Sequence, residues 1–245
     1  MLLNRRTLLL GCGILFVPGL REPSTLYLIG DSTVNNGTKG QQGWGTALPA
    51  LMDPQKMRVV NRARGGRSSR TYLMEGLWDA VLAEVKPGDV VLMQFGHNDG
   101  GEKFKGNRPR GSIRGNGEET ETGVVEMTGK EETVHSYGWY LRRYIADTRA
   151  KNAIPVVCSP VPRNIWREGK VARATGDYGK WAKEAAAQAN ALFLDLNTLV
   201  ADRYDALGPE TVATYFYGDH THTSPEGAAF TARIVAEALP KLLSR

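Results

Sequence analysis

Five short apolar runs punctuate the chain: Leu26–Ile29, Met57–Val60, Val90–Phe95, Ile154–Cys158 and Leu192–Leu194. Several are apolar throughout, the pattern of strands whose two faces are both covered. Helical spacing fills the intervals. Tyr137, Leu141, Tyr144, Ile145 and Thr148 recur on one helical face, as do Tyr178, Trp181, Ala182, Ala185 and Ala189. The clearest helix is the last. Ser224 is its predicted N-cap, Pro225 suits the first turn and Glu226 favours the positive end of the dipole. Ile234, Val235, Ala238, Leu239 and Leu242 then form an apolar stripe. Strands alternating with helices predict an α/β fold with a parallel sheet covered on both faces.

Residues 100–132 break the pattern. They are rich in Gly, Lys, Arg and Glu with little periodicity, and read as one long loop. Such a loop is usually functional or mobile. It follows the third strand, at the end where ligands bind in open α/β sheets.

The first twenty residues follow a different pattern again. Asn4-Arg5-Arg6 is a basic head, Thr7 to Val17 an apolar run, and Pro18-Gly19 a breaker. This is the form of an export signal, so residues 1–22 are read as a leader and 23–245 as a single domain. The apolar run is short of the roughly 20 residues a membrane span needs, although an N-terminal anchor is the competing reading. Arg5-Arg6 suits a twin-arginine route, and Leu9-Leu10-Gly11-Cys12 has the form of a lipoprotein processing site. The expected destination is periplasmic or extracellular. With Cys12 in the leader, Cys158 has no partner for an intramolecular bridge; its apolar run makes it a buried, inert thiol.

Composition adds little. Apolar residues at 41% and charged residues at 23% fit a globular domain and exclude a disordered one. The formal charge of +5 falls to +3 without Arg5 and Arg6, a mild excess that for an exported protein suits an anionic polysaccharide better than nucleic acid. Two basic clusters, Arg62, Arg64, Arg67 and Arg70, then Lys103, Lys105, Arg108, Arg110 and Arg114, read first as solvated loops.

Four segments carry candidate chemistry. In Gly30-Asp31-Ser32-Thr33 a serine ends the first strand, where it can expose its hydroxyl or cap a helix. Gly65-Gly66 after the second strand permits a sharp turn close to a ligand, or an ordinary connection. Asn98 in Gly96-His97-Asn98-Asp99 offers a neutral amide donor to an oxyanion, or serves a turn. Asp219 precedes His222 by three residues, close enough to hold its Nδ1–H and leave Nε2 as a base. A metal site from Asp219, His220 and His222, with His97 as a further candidate, lacks the supporting His or Cys cluster. Each segment alone is weak. All four fall where a doubly wound sheet gathers its ligand site, in the order Ser…Asp…His that triads use.

These blocks resemble the SGNH hydrolases, or GDSL esterases, whose name-giving Ser, Gly, Asn and His match Ser32, Gly66, Asn98 and His222. G-D-S-L appears here as G-D-S-T; G-H-N-D and D-x-x-H are intact. Adding Gly43-Trp44-Gly45, Gly66-Arg67-Ser68, Gly100-Gly101 and Thr223-Ser224-Pro225 brings the chain nearest the rhamnogalacturonan acetylesterase branch. The resemblance implies a flavodoxin-like three-layer α/β/α sandwich on a five-stranded parallel sheet. It implies metal-free hydrolysis of O-acetyl esters; no cofactor is expected, and the chain is expected to act as a monomer. Ser32 would be the nucleophile, Asp219 and His222 would complete the triad, and Ser32, Gly66 and Asn98 would form the oxyanion hole. Arg64, Arg67 and His97 are the expected substrate contacts, the arginines meeting galacturonate carboxylates. Other acylated substrates (acetyl-xylan, peptidoglycan, simple lipid esters) and a non-catalytic carbohydrate-binding role are the alternatives. The polar 100–132 segment argues against a lipase lid.

Overall fold

The computed structural model describes residues 23–173 and 176–244. The leader proposed for residues 1–22 therefore lies outside the described residues. Five parallel strands, β1 (Ser24–Gly30), β2 (Met57–Asn61), β3 (Val90–Gln94), β6 (Ile154–Cys158) and β9 (Leu192–Leu194), form the central sheet in the order β2-β1-β3-β6-β9. This is the expected fold class; β6 and β9 have the expected bounds, β1 is longer at both ends, β2 is longer by one residue at its end, and β3 stops one residue short.

Period-two alternation sorts the strand residues into two cores. Leu26, Leu28, Val90, Leu92, Val156, Cys158 and Leu194 face one side. They pack against α1 (Trp44–Ala47), α6 (Leu196–Leu207) and α8 (Pro225–Leu243). Tyr27, Ile29, Val91, Met93 and Val157 face the other, against α2 (Ser69–Met74), α3 (Leu77–Glu84), α4 (Tyr137–Ala150) and α5 (Tyr178–Gln188). Both faces are dry, which is why these strands read as unbroken apolar runs. Cys158 is fully buried, and burial pushes its thiol far above the usual range. No helix among the described residues is long and apolar enough to cross a membrane.

The 100–132 segment differs from expectation. It is not a bare loop but carries an antiparallel hairpin, β4 (Thr120–Val125) and β5 (Lys130–His135). Most of its side chains face water, so no apolar alternation marks it in the sequence. A second small pairing, β7 (Trp166–Arg167) with β8 (Lys170–Val171), also escaped the pattern. The short helix α7 (Pro209–Ala213) leads into the Asp219 loop.

The insertion is fastened from beneath by two buried charges. Arg70, 1% exposed, donates to Glu132 Oε1 at 2.6 Å, to the Lys103 carbonyl at 2.8 Å and to the Gly111 carbonyl at 2.7 Å. Asp99 accepts from Ser69 N–H at 3.1 Å, from the Ser69 hydroxyl and from Ser112 Oγ at 3.2 Å. Burial pushes the Asp99 carboxyl up to about 6, against the pull of those hydroxyls. Arg70 is thus no solvated cation but an internal strut. Replacing it by methionine would strand Glu132 and two carbonyls. Breaking a buried pair costs about 3–5 kcal/mol, and we expect the low end because Glu132, 15% exposed, can turn to solvent. Thermal unfolding should register this as a drop of roughly 6–12 °C; an unchanged midpoint would show that the strut bears no weight.

Candidate active site

The site is built at the carboxyl edge of the sheet. Beyond β1 the chain makes one tight turn, with the Asp31 carbonyl accepting from Val34 N at 3.2 Å and Asn35 N at 3.0 Å. Ser32 sits on this turn. Asp31 braces it from below: Oδ1 accepts from Thr33 N at 2.8 Å and Thr33 Oγ1 at 2.7 Å, and Oδ2 lies 3.3 Å from His97 Nδ1. Burial opposes this carboxylate's charge, but the His97 ring and the Thr33 donors outweigh it and hold its pKa below the usual value. Thr33 in turn accepts from Gln94 at 2.5 Å, and Gln94 accepts from the Trp44 indole at 3.0 Å. Gly43 beside Trp44 has a steric reason: a Cβ there would lie 2.2 Å from the Val34 carbonyl carbon.

The loop before α8 brings Asp219 and His222 over this turn. Thr223 and Gln42 exchange two hydrogen bonds, of 2.8 and 2.7 Å, which clamp the loop to the segment after β1. Ser224 caps α8 through the Gly227 N–H. Asp219 Oδ1 accepts from Thr221 N at 2.6 Å and His222 N at 2.8 Å, leaving Oδ2 for His222 Nδ1 at 2.7 Å. His222 Nε2 then lies 2.8 Å from Ser32 Oγ. Desolvation would raise the Asp219 carboxyl, yet hydrogen bonds from His222 and Thr221 hold it below its ordinary value, so it stays anionic. Both ring nitrogens of His222 are engaged, which leaves the alternative metal set of Asp219, His220 and His222 without its second histidine.

Two further segments close around the serine. A Cβ on Gly65 would sit 3.6 Å from Ser32 Cβ, so the glycine turn lies directly against it. Gly66 adopts φ +79°, a left-handed conformation that only glycine takes without strain. Asn98 Nδ2 donates to the Arg67 carbonyl at 2.8 Å, which fixes the amide and leaves its second N–H for another acceptor. A serine hydroxyl on an imidazole, with an amide held on the carbonyl that follows the neighbouring glycine turn, is suited to attack on a carbonyl.

The expected substrate contacts fare differently. Arg64 is exposed. Arg67 pairs with Glu75 at 2.8 Å and donates to the Gly65 carbonyl at 3.1 Å, so its charge is largely spent within the protein. His97 requires a correction. Its side chain is only 2% exposed and lies between Asp31 and the Val161 carbonyl, 3.0 Å from Nε2. It supports the Ser32 turn and does not face a substrate. Sequence reading missed Arg108 and Arg110, which the insertion carries to Gly66: Arg110 Nη1 donates to the Gly66 carbonyl at 3.2 Å. No local spacing announces that approach.

The sequence is 34% identical to a rhamnogalacturonan acetylesterase of Emericella nidulans, over 89% of this chain and 83% of that protein. It is also 34% identical to the probable rhamnogalacturonan acetylesterase YesY of Bacillus subtilis, over 89% of this chain and 93% of YesY. The crystal structure of Bacillus subtilis YxiM superposes with a TM-score of 0.71 at 28% identity, covering 89% of this chain and 56% of that one. The family profile described as GDSL-like lipase/acylhydrolase matches residues 28–230, and the chain belongs to that family.

Proposed function

We propose that this chain is a serine esterase that removes O-acetyl groups from a plant cell-wall polysaccharide, with pectic rhamnogalacturonan as the leading substrate. The observation that carries the reading is the continuous relay from Asp219 through His222 to Ser32, with Nε2 2.8 Å from the hydroxyl. In this mechanism His222 takes the Ser32 proton as Oγ attacks the acetyl carbonyl. The developing oxyanion is received by the N–H groups of Ser32 and Gly66 and by the Asn98 amide. One such donor is typically worth about 10²–10³ in kcat. His222 then protonates the departing sugar oxygen. Water, activated by the same imidazole, cleaves the acetyl-enzyme and releases acetate. The relatives named as rhamnogalacturonan acetylesterases support the choice of substrate. Export by residues 1–22, and action as a monomer outside the cytoplasm, complete the proposal.

The test is acetate release from a panel: acetylated rhamnogalacturonan, acetylated xylan, acetylated peptidoglycan and p-nitrophenyl acetate. Fastest turnover on rhamnogalacturonan is expected. Preference for xylan or peptidoglycan would move the substrate, and inactivity on every ester would leave a carbohydrate-binding scaffold.

A further inference from the structure

We propose that Arg108 and Arg110 form an anion subsite beside the acyl position, which takes a carboxylate of the acetylated sugar or of its immediate neighbour. The proposal rests on the esterase reading, in which Gly66 belongs to the oxyanion hole.

Both guanidiniums converge on Gly66. A Cβ built there would lie 2.5 Å from Arg108 Nη2 and 3.8 Å from Arg110 Nη1. Neither arginine has a carboxylate within 4 Å among the described residues. Their neighbours do: Arg62 pairs with Glu84, Arg67 with Glu75, Arg70 with Glu132 and Lys103 with Glu121. These four cations are neutralised within the protein, whereas Arg108 and Arg110 have no carboxylate in direct contact among the described residues, and only the more distant Asp31 and Asp99 bear on Arg110. Like charges side by side repel: burial and the charge of Arg108 press the Arg110 pKa down, and outweigh the opposite pull of Asp31 and Asp99. An anion at this point would relieve that repulsion.

The pair is also held in place. Buried Pro109 fixes the backbone between the two arginines. The next residue, Gly111, is tied by its carbonyl to Arg70 and by its N–H to the Glu102 carbonyl at 2.8 Å. A guanidinium fork offers two parallel donors, the geometry a carboxylate accepts. Because Arg108 reaches Gly66 itself, the anion must lie on or next to the sugar that bears the ester. A uronic acid fits that requirement; a neutral xylan chain does not.

The test uses Arg108→Gln in the full chain, since Arg108 is exposed and makes no hydrogen bond or ion pair among the described residues that holds the fold. Trigalacturonate binding is measured by calorimetry, and kcat/KM on acetylated polygalacturonate, acetylated xylan and p-nitrophenyl acetate. A charge-assisted pair predicts a loss of about 10- to 100-fold in trigalacturonate affinity and in kcat/KM on the anionic polymer. Values on xylan and the aryl ester should stay within about twofold of the parent. Rising salt should erase the difference between parent and variant. An equal loss on all three esters would mean that Arg108 acts on the acyl group, and would overturn the subsite. So would unchanged binding and rates, or a parent that binds no galacturonate. A parent that hydrolyses no ester yet binds trigalacturonate through Arg108 would refute the esterase reading and leave the subsite standing.

Discussion

Replacing Ser32 by alanine is expected to lower kcat for ester hydrolysis by about 10⁴–10⁶ and to leave the melting temperature within roughly 1 °C of the parent. The size follows from what the hydroxyl does. Among the described residues it is the only nucleophile on the imidazole: Oγ lies 2.8 Å from His222 Nε2, and His222 is already oriented by Asp219. Without it, catalysis falls back on water placed near an oxyanion site, which retains part of the rate but no acyl-enzyme route. The fold should not notice. The Ser32 side chain bonds to nothing else among the described residues, and the turn that carries it is braced by Asp31, Thr33 and Asn35 through other atoms. His222 keeps about a quarter of its side chain exposed, so water can satisfy the freed nitrogen. A variant that retains turnover within tenfold of the parent would remove Ser32 from the mechanism. A variant that loses both activity and stability would leave the role of the hydroxyl to a burst-phase search for the acetyl-enzyme in the parent.

What could be read beforehand, and what could not, divides along a physical line. β1, β3 and β6 were visible because Leu28, Leu92 and Val156 on one face, and Ile29, Met93 and Val157 on the other, are all buried. α8 was visible because Ser224, Pro225 and Glu226 announce its start locally. Ser32, Asn98, Asp219 and His222 were visible because each follows a strand or precedes a helix, and a doubly wound sheet gathers such positions. The hairpin of β4 and β5 was not, since a ribbon wet on most sides has no hydrophobic period. Nor was the burial of Arg70, whose acceptors lie 33, 41 and 62 residues away. In a list of charges Arg70 and Arg108 look alike; only packing makes one a strut and the other a free cation. His97 misled for the same reason. It stands in a functional block, but its task is to hold Asp31 behind the nucleophile.

The carboxylate of Asp219 allows the sharpest test of the relay, because its two oxygens have different duties. Oδ1 accepts two backbone N–H groups, and Oδ2 accepts from His222 Nδ1. In Asp219→Asn the two N–H groups can meet only the amide oxygen, so the amide nitrogen must face His222. An NH₂ group there forces Nδ1 to become an acceptor and puts the ring proton on Nε2, which then points at Ser32 and cannot take its proton. A loss of about 10³–10⁴ in kcat follows, with KM little changed. The lower end is favoured because Asp219 is 40% exposed and water weakens its hold on the ring. Alanine at 219 removes the carboxylate without imposing the wrong tautomer. It should therefore be no worse than asparagine, although asparagine is the closer mimic in shape. Kinetics of the two variants on p-nitrophenyl acetate decide the matter: an asparagine variant clearly faster than the alanine one would mean that Asp219 positions the loop and does not set the proton on His222.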